Sequence, residues 1–138
     1  MINEKYIINL TIPVVLHDEY KIYIPELIFG HLLTSSNYDD NDNRECGGRN
    51  GYGAKLTNIY SSEFTVKTNT FSQTFKNNME FMDKPIISKN KTKGVEITFY
   101  PDLKKFGLSS IDSFDNLPVI KKRVIDLCAD FQRICRDM

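Results

Sequence analysis

The chain has 138 residues, of which 41% are hydrophobic and 12% aromatic, so its length and composition suit one compact domain with a buried core. Its 18 basic and 18 acidic side chains cancel, and charge therefore gives no sign of a nucleic-acid or membrane surface. The 3 cysteines form no C-x-x-C pair, which argues against a disulfide framework and a zinc knuckle, and no apolar stretch reaches the ~18 residues of a spanning helix.

Two strands are predicted at the beginning of the chain. The apolar, β-branched stretch Tyr6–His17 is typical of a strand covered on both faces, with Pro13 marking the end of regular pairing. The next stretch, over residues 20–24, alternates apolar and polar side chains. We expect a second strand there, whose inward side chains are Tyr20, Ile22 and Ile24.

Helical spacing occurs on both sides of a glycine-rich segment. A helix is predicted from about Pro25 to Leu33, because Pro25 and Glu26 suit a first turn and apolar residues recur at helical intervals. Those apolar residues are Ile24, Leu27, Ile28 and Leu32. Directly after the glycines, a second helical pattern comprises Tyr52, Leu56, Ile59 and Tyr60. The glycine segment therefore leads into a helix.

The second half predicts a sheet and a final helix. Residues 63–71 and 72–81 form a polar, half-exposed hairpin pattern, and residues 93–101 alternate as a further strand. The inward side chains of that strand are Val95, Ile97 and Phe99, and the connection before it contains Lys89, Lys91 and Lys93. A long helix capped by Asp115 or Asn116 follows. Its apolar face comprises Leu117, Ile120, Val124, Leu127, Cys128, Phe131, Ile134 and Cys135. The fold class is therefore α/β (α+β), a two-layer sandwich with a mixed sheet and helices on one face, in a single domain over residues 1–138.

The segment "GGRNGYGAK", over residues 47–55, has the chemistry of an anion site. Its four glycines allow backbone N–H groups to approach a ligand closely, and the helix start adds unpaired N–H groups and a partial positive charge. Arg49 and Lys55 contribute full charges. The segment differs from a P-loop, because Lys55 comes one residue late, no Ser or Thr follows it, and the preceding residues are polar. A plain turn with solvated charges is the alternative.

Longer motifs identify a family resemblance. The strings "LIFGHLLTSSNYDD" and "GGRNGYGAKL" resemble the ATPase domain of eukaryotic-type DNA topoisomerase II, in the gyrase, histidine-kinase and MutL (GHKL) ATPase superfamily. Shorter matches are "IPVV", "EFTV" and "ITFYPDLKKF", so the resemblance extends from about Ile12 to Phe131. It implies a split-β ATPase fold that holds ATP beneath a lid and hydrolyses it to drive one DNA duplex through another.

The resemblance also assigns site residues. Ser35, Ser36 and Asn37 match the serines and asparagine of the ATP lid, over about residues 34–48, which contact the ribose and phosphates. The phosphate-binding segment over residues 47–55 would surround the β- and γ-phosphates. Its matching positions are Gly48, Arg49, Asn50, Gly51, Tyr52, Gly53, Ala54 and Lys55.

Two family features are not matched. The general base and the asparagine that binds Mg²⁺ lie far upstream of "IPVV" in the family, and only eleven residues precede Ile12 here, so no catalytic residue or metal ligand is assigned. The adenine-recognition motif should occupy Ile8–Thr11, but Ile8 stands where an Asp or Asn is expected. An unpaired adenine amino group costs about 1–3 kcal/mol, which predicts weak nucleotide binding.

The main interpretation is a segment of the ATPase domain of a type IIA topoisomerase, an isomerase that changes DNA topology. Its cofactors would be ATP and Mg²⁺, and the full-length enzyme would be a nuclear homodimer that binds DNA and no membrane. The isolated chain is expected not to hydrolyse ATP. Truncation is favoured over a domain fragment or a degenerate paralogue. The alternative is a non-catalytic nucleotide-binding or topoisomerase-interacting paralogue.

Overall fold

The computed structural model describes residues 7–8, 12–32, 51–111 and 116–137. It divides the chain into two compact units, Met1–Asp102 and Leu103–Met138. The elements of the first unit are strand β1 (Ile7–Ile8), helices α1 (Ile24–Gly30) and α2 (Tyr52–Ile59), and strands β2 (Ser61–Lys76), β3 (Phe81–Met82) and β4 (Ile86–Pro101). Those of the second unit are a 3₁₀ helix (Leu103–Phe106) and helix α3 (Asn116–Asp137).

Strand β2 reverses direction within its own length. The hydroxyl oxygens of Thr65 and Thr74, nine residues apart, lie 2.9 Å from each other, whereas nine residues of one straight strand span about 30 Å. Asn69 lies midway with a φ of 50°, which a short polar side chain tolerates in a turn. The predicted hairpin is therefore confirmed, with arms at residues 61–68 and 71–76.

The sheet has the strand order β1–β4–β2–β3, and each strand pair that the structure describes is antiparallel. In β4, residues 86–87 pair with the second arm of the hairpin, and residues 95–101 pair with the first arm. Lys89, Lys91 and Lys93, predicted in a connection, lie in β4 between these two paired stretches. The α+β class is confirmed, with antiparallel rather than mixed pairing in the described sheet.

One face of the hairpin forms the core of the first unit. Its buried side chains alternate along both arms, and they are Phe64, Val66, Thr68, Phe71, Gln73 and Phe75. The rings of Phe64 and Phe75 meet edge-on at 6.1 Å across the arms. From α1, the ring of Phe29 lies 6.1 Å from that of Phe64. Each buried Phe contributes about 1.5–3 kcal/mol. The other face of the hairpin is half-buried or exposed, so the predicted half-exposed hairpin is confirmed, although its buried face is largely apolar.

A four-residue turn closes the end of the hairpin. Asn77, Asn78 and Met79 all have positive φ, between 51° and 69°. The backbone N–H groups of Asn77 and Asn78 donate to the carbonyls of Ser62 and Ser61, at 2.8 and 2.9 Å. The turn is thereby fixed to the start of β2, and the side chain of Met79 packs against the core cluster.

The predictions for the beginning of the chain are only partly correct. Ile7–Ile8 is a strand, but residues 12–15 lie outside any strand, and Pro13 has no N–H to donate. Ile12 and Val14 pack against the core, whereas Val15 is 53% exposed. Cover on both faces is therefore wrong for this segment, which lies along the core on one side only.

The second predicted strand is replaced by a turn. Residues 18–20 reverse the chain, the N–H of His17 donates to the carbonyl of Ile22 at 2.8 Å, and Lys21 has a φ of 56°. Tyr20, predicted to point inward, is exposed. Tyr23, predicted to point outward, packs edge-on against Phe71, with 5.9 Å between the ring centroids. The strand prediction was wrong because residues 18–20 form a turn, and Ile22 and Ile24, predicted to point inward, are half-buried.

Helix α1 is confirmed, although it ends at Gly30 rather than Leu33. Its buried residues are Pro25, Leu27, Phe29 and Gly30. The predicted apolar face is correct for Leu27 and wrong for Ile28 and Leu32, which are exposed. Gly30 packs closely, since a Cβ there would lie 2.8 Å from Cε1 of Phe75. The close approach of α1 to the hairpin therefore requires the absence of a side chain at this position.

The second unit contains the predicted final helix, which begins at Asn116. Ile120 and Leu127, on its predicted apolar face, are exposed. Asp115 and the side chains of Cys128, Phe131, Ile134 and Cys135 lie outside the described residues. No helix in the described part of the chain is long and apolar enough to cross a membrane.

Candidate functional site

The N-terminal end of α2 has no side-chain cap from its N-cap residue. Gly51 stands at the N-cap with a φ of 65°, in the left-handed region that favours glycine. It provides no side-chain cap, and the first turn contains no acidic residue. The first four N–H groups of a helix have no acceptor within it, and they carry a partial positive charge. The predicted helix entry is confirmed, and the N-cap residue supplies no side-chain acceptor to its N–H groups.

Gly53 occupies open space in an ordinary helical conformation. A Cβ added there would meet nothing within 4 Å, and Gly53 is not among the glycines with positive φ. Glycine in a helix interior costs about 1 kcal/mol relative to alanine. Neither the backbone conformation nor packing against the described residues explains why glycine rather than alanine stands at position 53. A ligand that approaches the backbone closely would account for it.

Lys55 is buried in the fold, with 2% of its surface exposed. Burial lowers the pKa of its ammonium group, because desolvation disfavours the charged form. A desolvated ammonium interacts more strongly with an anion than a solvated one does, since the local dielectric is low. Lys55 therefore supplies a cation three residues after Tyr52, the first residue of α2.

Asn58 lies one turn after Lys55 and is 1% exposed. Its Nδ2 donates to the backbone carbonyl of Phe29 in α1 at 3.0 Å, while its Oδ1 is buried without a hydrogen-bond partner among the described residues. A hydrogen bond contributes about 0.5–1.5 kcal/mol, and an unsatisfied buried acceptor costs about 1–3 kcal/mol. The amide of Asn58 therefore satisfies a carbonyl of α1 while it leaves one acceptor of its own without a partner among the described residues.

The apolar residues whose spacing predicted α2 do not define its buried face. Tyr52, Leu56 and Tyr60 are exposed, whereas Lys55 and Asn58 are the buried residues. Hydrophobic spacing cannot detect a face formed by a lysine and an amide. The signal that could have identified Asn58 is its position three residues after Lys55, which places both side chains on the same face of a helix.

The predicted site residues fall into two groups. Gly51, Tyr52, Gly53, Ala54 and Lys55 form the start of α2, where Tyr52 and Gly53 are exposed and Ala54 packs against the core cluster. The other predicted contacts lie outside the described residues, and they are Ser35, Ser36, Asn37, Gly48, Arg49 and Asn50.

A metal centre is not found in the part of the chain that the structure describes. No group of three or more His, Cys, Asp or Glu side chains there could hold a metal ion. The first turn of α2 likewise contains no acidic residue. The described site therefore fits an anion and does not by itself fit Mg²⁺, which prefers carboxylate and phosphate oxygens.

Sequence comparison identifies relatives that are named DNA topoisomerase 2. No family model matches the chain. It is 54% identical over 125 residues to DNA topoisomerase 2 of Meyerozyma guilliermondii, covering 85% of this chain and 9% of that protein. It is 49% identical over 128 residues to DNA topoisomerase 2 of Pisum sativum, covering 87% of this chain and 9% of that protein. The chain therefore spans about a tenth of the length of these curated relatives.

A solved structure matches both sequence and fold. The structure is the ATPase region of Saccharomyces cerevisiae topoisomerase II, with a TM-score of 0.76 and 45% identity. The match covers 88% of this chain and 34% of the yeast chain. The described fold is thus similar to about a third of that ATPase region.

Proposed function

The chain belongs to the DNA topoisomerase 2 family, as a homologue of its ATPase region, and we propose on this premise that it binds the phosphates of ATP for a type II topoisomerase. The single observation that carries the proposal is the composition of the first turn of α2. There, an uncapped helix end, an unhindered glycine and a buried lysine occur within five residues, Gly51–Lys55.

Each part of this site has a separate role towards a polyphosphate. The N–H groups of the first turn donate to phosphate oxygens, and the partial charge of the helix end adds about 0.3–1 kcal/mol. Gly53 leaves the clearance that a phosphate needs to approach the backbone. Lys55 supplies a full positive charge, whose partial desolvation is offset when the anion binds.

The remaining contacts are proposed from the family resemblance. Ser35, Ser36 and Asn37 would belong to an ATP lid over residues 34–48 and contact the ribose and phosphates. Gly48, Arg49 and Asn50 would complete the phosphate-binding segment over residues 47–55. In this proposal the chain is one partial ATPase domain over residues 1–138, whose ATP-binding residues come from two consecutive segments.

The activity of the complete enzyme is part of the same proposal. ATP bound at this site would drive the passage of one DNA duplex through another, in a homodimer that acts in the nucleus. Mg²⁺ would accompany the nucleotide and bind its phosphate oxygens. Because the described residues offer no carboxylate at the start of α2, no step is assigned to the metal here.

Calorimetric titration of the 138-residue chain with a non-hydrolysable ATP analogue and Mg²⁺ tests the proposal. We expect saturable binding that Lys55→Ala weakens by more than about tenfold, since a hydrogen bond to a charged group contributes about 1.5–3 kcal/mol. The matched control is Lys67→Ala, which removes an exposed lysine of β2 that lies 3.9 Å from Glu96. Equal losses in the two variants would indicate non-specific charge attraction, and absence of binding to the folded wild-type chain would refute the proposal.

A further inference from the structure

The amide of Asn58 connects α2 to a fixed point of the core. Its Nδ2 donates to the carbonyl of Phe29 at 3.0 Å, and the ring of Phe29 lies 6.1 Å from that of Phe64 in the hairpin. The carbonyls in the last turn of a helix lack donor partners within that helix. Asn58, which lies near the end of α2, therefore supplies a hydrogen-bond donor to a carbonyl at the end of α1.

This connection bears directly on the start of α2. Lys55 and Asn58 are three residues apart and share the buried face of the helix. Because a short helix moves as one body, the bond to Phe29 fixes its rotation about its own axis. That rotation sets the direction of the N–H groups at Gly53 and the depth of the Lys55 ammonium. The amide satisfies the carbonyl of Phe29 at a cost, since its own Oδ1 is buried without a partner among the described residues.

We propose that Asn58 is a positioning residue, which holds the start of α2 at the distance and rotation that phosphate binding requires. This inference rests on the proposed function of that helix start. Asn58 acts through the bond to Phe29 and not by contact with the nucleotide. Displacement of bound groups by about 1 Å is enough to lose on the order of a hundredfold in a preorganised site, so a single buried hydrogen bond is sufficient for this role.

Two substitutions of Asn58 separate positioning from stability. Asn58→Leu removes the donor together with the unpartnered acceptor, and Asn58→Asp retains the shape but removes the donor at neutral pH. The matched control is Ser61→Ala, because the buried hydroxyl of Ser61 donates to the carbonyl of Thr57 at 2.5 Å, a bond local to the end of α2. Urea unfolding and calorimetric binding of a non-hydrolysable ATP analogue are measured for each variant.

We expect both Asn58 variants to bind the analogue more weakly than the wild type by on the order of tenfold or more, and Ser61→Ala to bind as the wild type does. The urea midpoint of Asn58→Leu should fall only modestly, because the carbonyl of Phe29 loses its donor while the unpartnered Oδ1 is removed. Wild-type affinity in a folded Asn58→Leu chain would overturn the inference.

A pH series gives a readout that a merely structural role would not change. In the Asn58→Asp variant, the introduced carboxyl group can again donate to the carbonyl of Phe29 once it is protonated, and burial raises the pKa of such a group. Affinity of Asn58→Asp relative to the wild type at the same pH should therefore recover as pH falls, whereas that of Asn58→Leu should not. If Asn58→Leu does not fold, the recovery of Asn58→Asp affinity at low pH becomes the deciding measurement. Absence of that recovery overturns the inference. Failure of the wild type to bind would instead refute the proposed function.

Discussion

Two glycines of the first unit stand in opposite surroundings. Gly30, at the end of α1, is required by packing, because a Cβ would lie 2.8 Å from the ring of Phe75. Gly53, in the first turn of α2, has open space where its Cβ would be. The difference separates two kinds of region. Around Gly30 each local choice serves the core. Around Gly53, a helix start without a side-chain cap and an Asn58 Oδ1 without a hydrogen-bond partner among the described residues break local rules that stability alone would favour.

The largest effect is expected at Gly30. In Gly30→Ala, the added methyl group must displace the ring of Phe75, which is fully buried and held edge-on by Phe64. Overpacking of this kind costs about 1–3 kcal/mol. Urea unfolding should show that loss relative to the wild type. An unchanged midpoint would mean that the ring moves aside freely and that the core is looser at this point than the contact indicates.

Gly53→Ala should have a smaller effect of the opposite sign. Alanine is favoured over glycine in a helix by about 1 kcal/mol, and the space beside Gly53 admits a methyl group. We expect the free energy of unfolding to rise by about 0.5–1 kcal/mol, while affinity for the ATP analogue falls because the methyl group occupies the approach to the backbone. A variant that is more stable and binds equally well would contradict the assigned role of Gly53.

The pH dependence of Lys55 should give the smallest effect. Its folded pKa is lowered by burial from the ordinary lysine value of 10.5, so between the two values the unfolded chain binds more protons than the folded chain. Stability attributable to this group therefore rises with pH across that window, and the penalty is complete below the folded pKa. The slope of the unfolding free energy against pH should be smaller in Lys55→Met than in the wild type. This variant retains all other titrating groups and therefore controls for them. Identical slopes would indicate that Lys55 is not desolvated in solution.

Bound nucleotide should remove most of this pH effect. An anion beside the ammonium favours the charged form and raises the pKa of Lys55. Selective ¹⁵N labelling of lysine permits its titration to be followed directly by NMR, with and without the ATP analogue. A pKa that does not respond to the analogue would separate Lys55 from the phosphate site.

The sequence predicted the positions of the helices better than their buried faces. Periodicity located α1 and α2 because their apolar residues recur at helical spacing, and glycines marked the start of α2. It failed for the buried face of α2, since burial there belongs to Lys55 and Asn58. Polar residues on a buried face are set by tertiary contacts and by the site, which no local pattern contains.

Local sequence patterns also failed to predict which side chains of the strand regions are buried. The hairpin of residues 61–76 was predicted as polar and half-exposed, but the pattern did not identify Thr68 and Gln73 as core residues, because both are polar. Tyr20 is exposed and Tyr23 packs against the core because residues 18–20 form a turn instead of continuing a strand. The phosphate-binding interpretation, in contrast, came from glycine spacing and charge, and the structure describes Gly51–Lys55 of that segment.

The reversal inside β2 also bears on the order of folding. Residues 61–87 form successive antiparallel pairs whose members are close in sequence, and short loops lose little entropy on closure. We expect this meander to be protected first in pulsed hydrogen exchange, and simultaneous protection of β1 would contradict that order. During synthesis α1 leaves the ribosome before the hairpin exists. Phe29 therefore has no Phe64 ring to pack against until residues 61–76 have been made.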